Sequence, residues 1–154
     1  MRKLKGMNIY PKNGIDKLLF GMKSPDVAAI YGKPDKEFRD EDGNVIQLYY
    51  ELKCRLTFYE DEEFRLGYVI AAHPGLQLFG EKIVGRNISE VRQVLLAHGI
   101  TKWETEEFDL AENHFDETNW LILQAEFAEV TKVEIGAIIN DRDEFDWKFP
   151  VRKK

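Results

Sequence analysis

The sequence holds one cysteine, Cys54, among 154 residues. A lone thiol closes no internal bridge and builds no multi-thiolate metal cage, so a disulfide framework and a structural zinc site are excluded as the source of stability. Long apolar runs are also missing. The start, Met1-Arg2-Lys3-Leu4-Lys5-Gly6, is basic but leads into no stretch of signal length, and no segment approaches membrane-spanning length, which sets the expectation of a cytoplasmic protein. Positive charge is in deficit, with 22 Lys and Arg against 28 Asp and Glu and a net charge of −6. That balance argues against a nucleic-acid partner and for a basic protein partner or none, and the missing apolar runs argue against a membrane. HExxH, CxxC, a glycine-rich phosphate loop and a GxSxG turn are all absent from the sequence. Neither a cofactor nor a metal is expected, and no enzymatic activity.

What is present suffices for a core. Hydrophobic residues make up 44% of the chain, the range of one folded domain spanning 1–154. Two segments share their punctuation: Gly21-Met22-Lys23-Ser24-Pro25-Asp26-Val27 and Gly85-Arg86-Asn87-Ile88-Ser89-Glu90-Val91. Phe58, Phe64, Leu66, Gly67, Val69 and Ile70 are matched in spacing by Phe127, Val133, Ile135, Gly136, Ile138 and Ile139. We read two internal repeats, about 8–74 and 75–140, followed by a charged tail over 141–154.

Each repeat is expected to open with a helix. Ser24-Pro25-Asp26 suits a helix start and Gly32 with Pro34 a stop, while Asn87 and Glu90 have capping-box spacing. A further short helix is expected within Pro11 to Phe20. Period-two alternation marks strands over Val45–Leu52, Cys54–Phe58 and Phe64–Ile70, and again over Leu121–Phe127 and Val133–Ile139. The expected fold class is α+β: two tandem helix-plus-antiparallel-strand repeats forming one sheet, with helices on one face.

The block Gly21-Met22, Asp26-Val27, Ile30 and Gly32-Lys33-Pro34-Asp35 resembles the signature of the SmpA/OmlA lipoprotein module, and its duplication resembles the tandem-repeat β-lactamase-inhibitor-protein family. The resemblance implies repeats joined into one curved sheet that holds a protein partner. The chain lacks the lipidation cysteine and repeat disulfides of those proteins, so their location and target are not carried over.

His114 lies near Asp109, Glu112 and Asp116, an arrangement that could be written as a metal or acid–base cluster but suits a solvated loop better. His73 and His98 have structural settings, and Cys54 alternates with Leu56 and Phe58 as a small buried hydrophobe. The acidic runs Glu60–Glu63, Glu104–Asp109 and Asp141–Asp146 read as solvated loops or as a surface that covers a basic partner. Strand parity places Tyr49, Tyr59, Val69, Trp120, Ile122 and Ile138 on the sheet face away from the helices, a face that would ordinarily be polar. With Glu60, Glu62 and Glu106 they form the expected partner-binding surface. Phe127 is expected in the core. The leading expectation is a non-enzymatic immunity or inhibitor protein that binds a basic toxin or enzyme. A small-molecule-binding or structural homo-oligomeric module, the partner then being a second copy, is the alternative.

Overall fold

Short strands and tight turns dominate the computed structural model, which describes residues 7–150. In chain order the strands are β1 (Met7–Tyr10), β2 (Gly14–Ile15), β3 (Leu18–Leu19), β4 (Lys36–Arg39), β5 (Val45–Tyr49), β6 (Cys54–Tyr59), β7 (Arg65–Ala71), β8 (Leu76–Leu78), β9 (Glu81–Lys82), β10 (Glu104–Phe108), β11 (Ala111–Asp116), β12 (Leu121–Glu126) and β13 (Glu129–Gly136). The helices are α1 (Ser24–Tyr31) and α2 (Ile88–Leu96).

The strands form two sheets. A five-stranded sheet has the order β3-β2-β1-β8-β9, and an eight-stranded sheet the order β10-β11-β12-β13-β7-β6-β5-β4. The large sheet consists of two antiparallel meanders, β4–β7 and β10–β13, joined where Val133–Gly136 of β13 pair with Ala71–Tyr68 of β7. One face of it carries Leu56, Val69, Leu121, Leu123, Val133 and Ile135, all fully buried. They share a cluster with Met7, Ile9, Leu76 and Leu78 of the small sheet and with Val27 and Val91 of the helices. The core therefore lies between the inner face of the large sheet and a layer made of the small sheet and two short helices. Both edges of the large sheet, Lys36–Arg39 and Glu104–Phe108, are exposed along their full length and charged, which discourages pairing with another chain.

This architecture corrects the expected fold class. The protein is mostly β, with strands in two sheets, and is not built as two tandem helix-plus-strand repeats forming one sheet. Residues Pro11–Phe20 carry β2 and β3 in place of a helix, because Gly14, at φ 155°, and Asp16, at φ 53°, turn the chain back on itself. The paired phenylalanines do not correspond either. Phe58 is a buried residue of β6, whereas Phe127 is 77% exposed in the two-residue turn between β12 and β13.

The helix ends follow their sequence signals in part. Asp26 accepts from the Lys23 backbone N–H at 2.9 Å, so Lys23 caps α1 and Ser24 is released to accept from Gln47 Nε2 at 2.8 Å. At α2, Asn87 Oδ1 accepts from the Ser89 N–H at 2.9 Å, and Glu90 pairs with Arg86.

Candidate binding groove on the outer sheet face

The sheet face opposite the core is set by register. Phe115 pairs with Ile122, Ile122 with Glu134 and Glu134 with Ile70, so these side chains share the outer face, as do Asn113 and Gln124 one step along. Two glycines let aromatic rings lie against the backbone there. A Cβ on Gly67 would meet Tyr59 Cε2 at 2.2 Å, and one on Gly136 would meet Trp120 Cδ1 at 2.4 Å and Tyr68 Cδ1 at 3.1 Å. Phe115 meets the Trp120 ring edge-on at 5.1 Å. Phe145, from the segment after β13, stacks on Tyr59 at 5.6 Å and on Trp147 at 4.7 Å.

Between these rings runs an open groove of about 580 Å³, lined by Tyr59, Tyr68, Phe115, Trp120, Ile122 and Phe145. Glu104 and Glu106 of the edge strand β10 form one rim, and Asn113 contributes to the floor. Trp120 stays 41% exposed. Tyr68 donates its hydroxyl to Glu134, and burial, reinforced by that bond, raises its pKa well above the ordinary tyrosine value. Burial also raises that of Tyr59.

Of the expected partner-binding residues, Tyr59, Trp120, Ile122 and Glu106 meet in this groove. Tyr49 does not. It is buried on the inner face, where its hydroxyl donates to the Gly32 carbonyl at 2.8 Å. Val69 is likewise a fully buried core residue opposite Leu56. The reason is a bulge: Thr57 pairs with Tyr68 but Phe58 pairs with Leu66, so Gly67 is an extra residue and the parity of β7 reverses there. Leu66 and Val69 thus both face the core, and Tyr68 and Ile70 face out. Ile138 lies past the end of β13, half-buried, with its carbonyl accepting from the Asp146 N–H at 2.8 Å. Glu60 and Glu62 sit on a 3-10 turn outside the groove, Glu60 near Arg39 at 3.7 Å. Reasoning from sequence misses Tyr68 and Phe115 but offers the segment from Phe145 as a cover for this face, where Phe145 does stack on Tyr59; the alternation of β11 against Ile122 carries a signal for Phe115, but the bulge conceals Tyr68.

The histidines are engaged elsewhere. His114 is buried on the inner face beneath α2, and its Nδ1 accepts from Arg92 Nη1 at 3.2 Å while Nε2 donates to Glu112 Oε1 at 3.1 Å. Arg92 also lies over the Trp103 ring at 5.6 Å. Asp109 is in the β10–β11 turn and Asp116 accepts from Asn119, so neither joins His114. Among the described residues there is no group of three or more side chains fit to hold a metal ion. His98 stacks on Phe79, and His73 Nδ1 accepts from the Gly75 N–H. Cys54 is buried, and that burial pushes its thiol pKa up to about 12.

No protein-family profile and no curated protein matches the chain. Among solved structures it is similar to an extracellular protein containing an SCP domain from Bacillus anthracis, with TM-score 0.51 and 14% identity over 86% of this chain and 50% of that one. A cysteine-rich secretory protein from Staphylococcus aureus is similar at TM-score 0.47 and 14% identity, over 82% of this chain and 47% of that one. The chain thus spans about half the length of these proteins. The finding replaces the resemblance to the SmpA/OmlA module and the β-lactamase-inhibitor-protein family, and with it the reading of tandem repeats. It also overturns the cytoplasmic expectation, since the Bacillus anthracis protein is described as extracellular.

Proposed function

We propose that this chain is a protein-binding module that engages a partner protein through the outer face of its large sheet. Trp120, Ile122 and Tyr59 serve as apolar anchors, and the carboxylate of Glu106 lies on the rim. The observation that carries this reading is the groove itself: an open antiparallel sheet face is normally polar, yet this one presents contiguous aromatic surface beside acidic residues. Aromatic anchors in a recess are where binding energy concentrates in protein interfaces, and rim charge steers approach.

A photo-crosslinking amino acid placed at Ile122, in the cells that produce the protein, should capture one discrete polypeptide. The same group at Lys82, on the small sheet, should capture none. Added wild-type chain should suppress the adduct, whereas Trp120→Ala should compete about 30-fold less well, equivalent to about 2 kcal/mol. Trp120→Ala should lower folding stability by no more than about 1 kcal/mol. Equal capture from both positions, or none from either, would overturn the reading.

A further inference from the structure

We infer that the groove receives an arginine side chain of the partner, its guanidinium held between aromatic faces and the Glu104–Glu106 rim; this rests on the protein-binding reading above. Three independent observations converge on a cation rich in hydrogen-bond donors.

The first is the π surface. Tyr59, Tyr68, Phe115, Trp120 and Phe145 line one recess, and aromatic faces attract a cation placed over them. Elsewhere the fold already uses this contact, with Arg39 over Phe64, Lys36 over Phe38 and Arg92 over Trp103. Among the described residues no lysine or arginine occupies the groove.

The second is charge. Glu104 lies opposite Phe115 in the β10–β11 ladder and Glu106 opposite Asn113, so both carboxylates are on the groove side of the edge strand. Neither has an ion-pair partner among the described residues.

The third is an acceptor with nothing to accept. Asn113, which lines the groove, has a buried Oδ1 without a hydrogen-bond partner. Buried acceptors are nearly always paired, and an N–H donor reaching the groove lining at Asn113 would satisfy this one. A guanidinium fits all three demands: it is planar, stacks on rings and carries five donors and no acceptor. Lysine's compact ammonium satisfies the charge but offers no plane to stack.

The test uses the full chain and the blocked tripeptide Gly-Arg-Gly, with Gly-citrulline-Gly as a neutral analogue of nearly the same shape. In NMR titrations the arginine peptide should shift the Trp120 indole N–H and the Asn113 side-chain amide saturably. The citrulline peptide should bind at least tenfold more weakly. Replacing both rim carboxylates (Glu104→Gln with Glu106→Gln) should weaken the arginine peptide about fivefold or more while leaving the remaining spectrum in place. Equal binding of the citrulline peptide, or shifts centred on Glu60–Glu63, would overturn the inference. If crosslinking from Ile122 captures a partner but the arginine peptide does not enter the groove, the inference falls and the protein-binding reading stands. Failure of the crosslink as well removes both.

Discussion

An alanine at Gly67 would bring its Cβ within 2.2 Å of the Tyr59 ring, so the smallest possible side chain decides whether the groove has its wall. Gly67→Ala should expel Tyr59 from the backbone and loosen its stack on Phe145. Overpacking of this kind costs about 1–3 kcal/mol, and a urea titration with near-UV circular dichroism should register both the lost stability and the altered tyrosine environment. Gly136 holds Trp120 by the same device. Glycine in a strand ordinarily weakens it, and here each gap is filled by a ring from a neighbouring strand or turn. The chemistry of the groove therefore depends on residues that carry no side chain.

The β12–β13 hairpin turns through Phe127 and Ala128, at φ 49° and 64°, between the terminal pair Glu126 and Glu129. Two left-handed residues in a two-residue loop are the geometry that Asn-Gly favours, and an L side chain there costs about 1–2 kcal/mol per residue. Replacing Phe127-Ala128 by Asn-Gly should therefore raise stability by about 1 kcal/mol, seen as a higher urea midpoint with an unchanged slope. The same hairpin shows how far the sequence could be read. The alternation of Leu121, Leu123 and Ala125 correctly implies an outward Ile122, and Asn87 correctly marks a helix start. Phe127 looks like one more inward residue because nothing in its own chemistry announces a turn; hairpin closure imposes the left-handed conformation. Val69 and Tyr49 were misplaced for related reasons: a one-residue bulge at Gly67 inverts parity, and Tyr49 belongs with Gln47 and Cys54 on the side facing the core. Tyr59 and Ile122 are legible in the sequence because their strand parity is undisturbed, Glu106 because it belongs to an acidic run, whereas Trp120 reaches the groove from the turn before β12, at φ 47°.

At the scale of the whole molecule, burial favours the protonated form of the single thiol and of four tyrosines. Cys54 is held up to about 12, and Tyr31, Tyr49, Tyr59 and Tyr68 are raised as well, with burial the leading cause in each. The unfolded thiol ionises near 9, so between about pH 9 and 12 the folded state binds the extra proton and stability falls as pH rises. The loss should approach about 1.4 kcal/mol per pH unit for Cys54 alone. Urea midpoints measured from pH 8 to 11 should decline, and Cys54→Ala should flatten the decline. The native thiol should also resist alkylation until the protein unfolds. The seam between β7 and β13 has a different consequence, one of time. Its four paired positions join residues more than 60 apart in the chain, whereas every other pairing in the large sheet joins neighbouring strands. Each meander can assemble from local hairpins, but the seam, like the β1–β8 pairing of the small sheet, must close a long loop and is expected to form after them. The groove spans that seam, with Tyr59 and Tyr68 on one side and Phe115 and Trp120 on the other, so neither meander alone holds the whole groove and binding competence should wait on their joining.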